Sequence, residues 1–106
     1  MGRARRDSAV MRKHPVLPLF KLFGVPLRVV VFQRVARRPS TASELARELP
    51  ITRAAVVQHL TVLKTHGLVD AVPDGRRKVY RVLPSGLKPL RDWLNVYQGA
   101  PSPPQQ

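Results

Sequence analysis

The chain has 106 residues, nineteen Lys and Arg against six Asp and Glu, a net charge of +13 and no cysteine. A chain of this length forms one domain with a core of its own, and the missing thiols exclude disulfides, thiolate metal sites and cysteine redox sensing. So much like charge weakens a compact fold unless a surface uses it, so the composition implies a polyanionic partner, nucleic acid first and an anionic membrane second.

Residues 1–15 carry Arg3, Arg5, Arg6, Arg12 and Lys13 with one acid and no apolar period. They are expected to be a disordered basic arm, either solvated or touching the partner. The apolar stretch from Val16 to Phe32 is interrupted by Lys21 and Arg28. It falls short of the roughly 20 apolar residues of a spanning helix and has no small-residue cleavage site, so neither a membrane anchor nor a signal peptide is expected. Residues 16–98 form the expected folded domain. Residues 99–106, with three prolines, form an expected disordered tail.

Leu17, Leu19, Phe20, Leu22 and Phe23 crowd into a short helix, more apolar than one inward stripe needs. The excess predicts a surface covered by a second chain. Gly24 breaks that helix, and Pro26 suits the first turn of the next, which runs to about Arg38 with Leu27, Val30, Val31 and Val35 inward. Pro39 and Ser40 close it. Thr41-x-x-Glu44 is a capping box opening a helix through Leu49, whose inner face is Leu45 and Leu49, with Ala42 and Ala46 allowing close approach.

Pro50 forces a turn, and Ile51 to Gly67 reads as a helix with Thr52 as N-cap and Gly67 at its end. Val56, Leu60 and Leu63 share one stripe. The opposite face shows Ala54, Gln58, Thr61 and Thr65, with Val57 and Val62 at its edges. Such a short, uncharged face can approach another surface closely, and amide and hydroxyl groups beside small apolar ones suit the base edges of a major groove. The two helices and their tight turn make a helix-turn-helix.

Beyond Gly67 the period changes. Leu68 to Val72 and Lys78 to Leu83 read as strands, and Asp74-Gly75 between them predicts a hairpin with a type I′ turn. Arg76, Arg77 and Lys78 put three cations at its tip, so the order is that of a winged helix, whose wing reaches phosphates or the minor groove. Leu87, Leu90, Trp93, Leu94 and Tyr97 then predict an amphipathic helix over Pro84 to Tyr97, beginning near Ser85. The expected fold is mainly α with a small β-hairpin, in the order α-α-α-α-β-β-α. Apolar helices at both chain ends predict a dimer through Leu17, Leu19, Phe20, Phe23, Leu90, Trp93, Leu94 and Tyr97.

The element order, Leu45-Ala-x-Glu48-Leu49, then Arg53-x-Ala55-Val56-x-Gln58-His59-Leu60-x-Val62-Leu63, Gly67-Leu68-Val69 and Gly75-Arg76-Arg77-x-x-Tyr80 resemble the ArsR family of bacterial winged-helix repressors over roughly Leu19 to Tyr97. The resemblance implies a cytoplasmic homodimer that binds an inverted-repeat operator and is released by an inducer, often a metal. The family's metal ligands are not matched. Ser43 to Leu49 has no cysteine, the last helix has Asp92 but no histidine, and one carboxylate cannot make a tetrahedral site. His14, His59 and His66 are poorly placed as ligands, so no metal and no cofactor is expected. His59 matches a family position that faces DNA or the helix-turn-helix interior. Val57 stands where relatives commonly carry serine and would exchange a hydrogen bond for a thymine-methyl contact.

The expected double-stranded DNA interface is therefore Thr52, Arg53, Ala54, Val57, Gln58, His59, Thr61, Lys64, Arg76, Arg77 and Lys78. Ala54, Val57, Gln58 and Thr61 would read bases, with Gln58 suited to a bidentate adenine contact. Arg53, Lys64, Arg76 and Arg77 would hold phosphates. The competing reading is a non-specific architectural protein of the nucleoid type, which the charge suits equally. An enzyme is not expected, because the residues offer no paired acid and base, no partnered nucleophile and no phosphate-binding glycine loop.

Overall fold

The computed structural model describes residues 9–98. The expected tail and most of the expected arm lie outside the described residues; the arm's described end, residues 9–13, is helical. Five helices and one hairpin follow: α1 (Leu17–Phe23), α2 (Pro26–Arg37), α3 (Ala42–Glu48), α4 (Arg53–Thr65), β1 (Val69–Asp74), β2 (Arg77–Val82), a 3₁₀ turn (Pro84–Leu87) and α5 (Lys88–Gln98). No helix among them is long and apolar enough to cross a membrane.

Local chemistry fixes each boundary of the helix-turn-helix. Arg38 and Leu49 are both extended, at φ −159° and φ −110°, and each precedes a proline that disfavours the α region. The Thr41 hydroxyl accepts from the Glu44 N–H at 3.1 Å while the Glu44 carboxylate accepts from the Thr41 N–H at 2.8 Å, closing the capping box. Thr52 caps α4 by accepting from the Ala55 N–H at 3.1 Å. At the other end Gly67 takes φ +73°, the Leu68 N–H donates to the Leu63 carbonyl at 2.9 Å and the Gly67 N–H to Lys64 at 3.0 Å. This is a Schellman motif, and the buried Leu63 and Leu68 make its apolar contact.

The cap also sets the start of the hairpin. Leu68 gives its N–H to the cap and only its carbonyl to the hairpin, where it accepts from the Leu83 N–H at 2.8 Å, and β1 begins at Val69. The strands pair antiparallel from Val69 with Val82 to Asp74 with Arg77. The loop is therefore Gly75-Arg76 and not the expected Asp74-Gly75, because Asp74 joins the ladder and its carboxylate accepts from the Arg77 guanidinium at 3.1 Å. Only Gly75 has positive φ, +63°, as a type II′ turn requires, whereas type I′ needs it at both central residues. Ser40 and Tyr80 exchange backbone hydrogen bonds of 3.0 and 2.8 Å, tying the hairpin to the segment that enters α3.

The core is one cluster around Leu22, Val31, Val35, Leu45, Val56, Leu60, Leu63 and Leu68. Truncating a fully buried leucine such as Leu45 to alanine costs about 2–5 kcal/mol, a large share of a small domain's stability of about 5–15 kcal/mol. The core sits against the C-terminal half of α2. Leu27 and Val30, expected inward, lie beyond its edge at 41% and 39% exposure. The last helix also departs from expectation: Pro89 has no N–H to give to the Ser85 carbonyl, which cuts a helix continuous from Ser85 and leaves a 3₁₀ turn before α5.

Of the eight residues expected at a dimer surface, Leu19 is buried within its own chain, because Val16, Leu19 and Leu22 recur every third residue on the inner side of α1. Leu17 and Leu90 are half-buried, and Phe23 packs edge-on against Phe32 at 5.2 Å. Phe20, Trp93, Leu94 and Tyr97 face outward, joined by Val96. Phe20 meets Trp93 edge-on at 4.9 Å, and Trp93 meets Tyr97 at 5.0 Å, so α1 and α5 present one aromatic ridge.

Candidate nucleic-acid interface

The start of α3, the start of α4 and the hairpin tip enclose a cleft of about 430 Å³. Arg47, Arg53, Arg76, Arg77 and Lys78 line it, together with Thr41, Ala42, Ser43, Val57 and Tyr80. With five cations and no carboxylate in its lining, the cleft carries a positive field that favours anions. Arg53 is held by its Nε donating to the Ser43 hydroxyl at 3.1 Å, which leaves the outer guanidinium nitrogens for a ligand. Arg77 is paired with Asp74, but both side chains are more than half exposed and the pair is correspondingly weak.

The cleft thus gathers Arg53, Val57, Arg76, Arg77 and Lys78 of the expected set. It adds Thr41, Ala42, Ser43, Arg47 and Tyr80, which sequence reasoning did not place at the interface. The signal existed for two of them: Ser43 and Arg47 are four apart on α3, so the outer face of the first helix carries a hydroxyl and a cation beside the turn.

The outer face of α4 exposes Thr52, Ala54, Gln58, Thr61 and Lys64. Gln58 is exposed with its amide unengaged by any hydrogen bond among the described residues. Thr61 donates its hydroxyl to the Val57 carbonyl at 2.8 Å, and Thr65 donates to Thr61 at 2.9 Å. Thr61 therefore offers a base only an acceptor lone pair and a methyl group. Val57 is half-buried at the cleft floor and packs on the core. Lys64 does not line the cleft; it lies near Asp70 at the hairpin base, where Arg81 first and Lys64 last help to hold that carboxyl below its usual range.

His59 departs most from the expected set. Its ring is half-buried with Nδ1 enclosed, so it does not present that edge outward. Burial first, and the Arg28 guanidinium second, push its pKa below the ordinary histidine value. Arg28 donates from Nη1 to the Leu22 carbonyl at 3.1 Å at the end of α1, so this cation serves a helix C-terminus and His59 lies beside it as a neutral ring.

Comparisons with known proteins agree with this geometry. Residues 24–72 match a helix-turn-helix domain family. An HTH-type transcriptional regulator of Mycobacterium tuberculosis, Rv2034, is 50% identical over 70 residues, which span 66% of this chain and 65% of that protein. The solved ArsR-like transcriptional regulator from Rhodococcus sp. RHA1 superposes with a TM-score of 0.71 at 30% identity, over 79% of this chain and 80% of its own. The homodimeric winged helix-turn-helix DNA-binding domain Mb0332 of Mycobacterium bovis shares the fold at 20% identity, with a TM-score of 0.65 over 95% of this chain and 92% of its own. Motifs, fold and relatives converge, and the chain belongs to the ArsR-like family of winged helix-turn-helix transcriptional regulators.

Proposed function

We propose that the chain is a sequence-specific transcriptional regulator of the cytoplasm that represses by occupying an inverted-repeat operator as a homodimer. One observation carries this reading: a cleft lined by five cations opens directly beside a short-chained helix face that carries no acid. The cleft holds phosphates, and the helix face enters the groove they border. Gln58, exposed and unengaged, is the reader, since its amide can donate to and accept from one adenine at once. The aromatic ridge of Phe20, Trp93 and Tyr97 is the surface that a second copy covers, and the Mycobacterium bovis domain of the same fold is itself homodimeric.

The test is selection of binding sites from a random duplex library with the full chain, followed by affinities of Gln58→Ala for the selected and a scrambled duplex. The variant should lose about 1–3 kcal/mol per half-site on the selected duplex and almost nothing on the scrambled one. Equal affinity of the parent chain for both duplexes would support the non-specific architectural reading instead.

A further inference from the structure

A second cationic cleft, of about 540 Å³, lies where α2 ends beside the end of α3, lined by Arg34, Arg37, Arg38, Glu48 and Leu49. Three arginines and one glutamate leave an excess of two positive charges. The glutamate is already committed. Arg34, whose side chain is only 12% exposed, grips Glu48 in a two-pronged pair and reaches the Ser40 hydroxyl at 3.2 Å and the Arg38 carbonyl at 3.3 Å. Arg38 meets Glu48 at a looser 3.6 Å with its side chain 66% exposed, and Arg37 is exposed with no ion pair among the described residues.

This cleft is separate from the one under the wing and shares no lining residue with it, but a short segment of chain links the two. Thr41 lines the wing cleft, and the intervening chain from Arg38 is extended at both Arg38 and Thr41. Three residues of chain span at most about 10 Å, roughly three base-pair rises along a duplex. The Thr41 N–H first, and the Arg77 and Arg38 guanidinium groups last, hold the Glu44 carboxyl below its usual range, so one residue senses a cation of each group. The Ser40–Tyr80 bridge fixes the relative position, because Ser40 belongs to the α2 end and Tyr80 to the wing cleft. Arg34 serves as the internal strut, which leaves Arg37 and Arg38 as two outward cations on a rigid mount.

We propose that Arg37 and Arg38 form a second phosphate-holding site that grips the duplex flanking the operator, outside the reach of the recognition helix and the wing. The proposal rests on the DNA-binding role argued above. It predicts a footprint longer than the half-sites that α4 can read, and a salt dependence steeper than the wing cleft alone supplies.

The experiment uses the full chain, the doubly substituted variant Arg37→Gln/Arg38→Gln, and the selected and scrambled duplexes, each with long flanks and also trimmed to the half-sites. Glutamine keeps the unbranched stem and a polar head without the charge, Arg34, Glu48 and Ser40 are untouched, and the Arg38–Glu48 contact that is lost is loose and exposed, so the melting temperature should be preserved. On long duplexes of either sequence the slope of log affinity against log salt should fall in magnitude by about 3.6 for a dimer, four phosphate contacts at about 0.9 each. On trimmed duplexes variant and parent should have the same slope. An unchanged slope on long duplexes overturns the proposal, and so does an equal drop on trimmed ones, which would place the arginines inside the half-sites. The ratio of selected to scrambled affinity reports separately on the proposed function, so failure of one reading is not mistaken for failure of the other.

Discussion

A methyl group built on Gly86 would stand 2.1 Å from the carbonyl oxygen of Gly67. The 3₁₀ turn that leads into α5 is thereby pressed against the last residue of the recognition-helix cap, and backbone meets backbone with no side chain free to move aside. Gly86→Ala should therefore cost at least the 1–3 kcal/mol or so typical of overpacking, which lowers the melting temperature by about 4–8 °C per kcal/mol in a domain of this size. Calorimetry of the variant checks it. An unchanged melting temperature would mean that the turn slides freely against Gly67.

His59 predicts a pH dependence of stability. Its folded pKa lies below the unfolded value of about 6.5, so the native state binds fewer protons than the unfolded chain in that window. Stability is full above about pH 6.5 and falls as the pH drops from there toward the folded pKa. Thermal unfolding across about pH 5 to 8 should show this loss, and His59→Asn should flatten it. A parent chain whose melting temperature stays level over that range would contradict the burial of the ring beside Arg28.

These two contacts also mark where the sequence stops being legible. Boundaries set by local chemistry could be read directly: Thr41 with Glu44, Thr52 and Gly67 act through neighbours within a few residues, and the Val56, Leu60 and Leu63 stripe follows from helix geometry. What the sequence hid depends on tertiary placement. The Asp74-Gly75 pair is a sound hairpin signal, yet Asp74 pairs with Arg77 in the ladder and the loop lies one residue further on. Leu27 and Leu19 are both leucines on short apolar helices, and only the position of the core decides that one is exposed and the other buried. The candidate site shows the same division. Arg53 and Arg76 to Lys78 are visible as charges near a helix start and a turn, whereas Tyr80 joins them only because its backbone pairs with Ser40 at the entry to α3.

The aromatic ridge makes a prediction about assembly. Phe20 is 40% exposed and Trp93 38% exposed, and the two rings already pack on each other within one chain. Sedimentation of the parent at micromolar concentration should give twice the chain mass. Phe20→Glu should shift it to the chain mass, since a buried aromatic anchor at an interface is worth about 2 kcal/mol or more and a charge there adds a desolvation cost. Operator affinity should fall in parallel, each monomer holding one half-site. A monomeric parent that binds the selected palindrome as tightly would refute the two-fold arrangement.

At the wing tip, Asp74 would compete with a DNA phosphate for Arg77 under the proposed function. The Arg77 guanidinium is 3.1 Å from the Asp74 carboxylate, and both are exposed, so the pair contributes about 1 kcal/mol at most and yields readily to a phosphate. Arg77→Ala should weaken binding to selected and scrambled duplexes alike and lower the salt slope by about 2 for a dimer, one phosphate contact per subunit. Asp74→Asn should do the reverse, raising affinity for all sequences by about two- to fivefold per subunit as the competing charge is removed. The two effects share one guanidinium, so they should not add: with Arg77 already replaced by alanine, Asp74→Asn should gain much less. Affinities of the four proteins across a salt series decide it. If Asp74→Asn gains the same with and without Arg77, the aspartate acts on the duplex directly by repulsion and Arg77 is not its partner in the bound state. If Arg77→Ala changes base preference at an unchanged slope, the wing reads the shape of the minor groove and its role as a phosphate clamp is wrong.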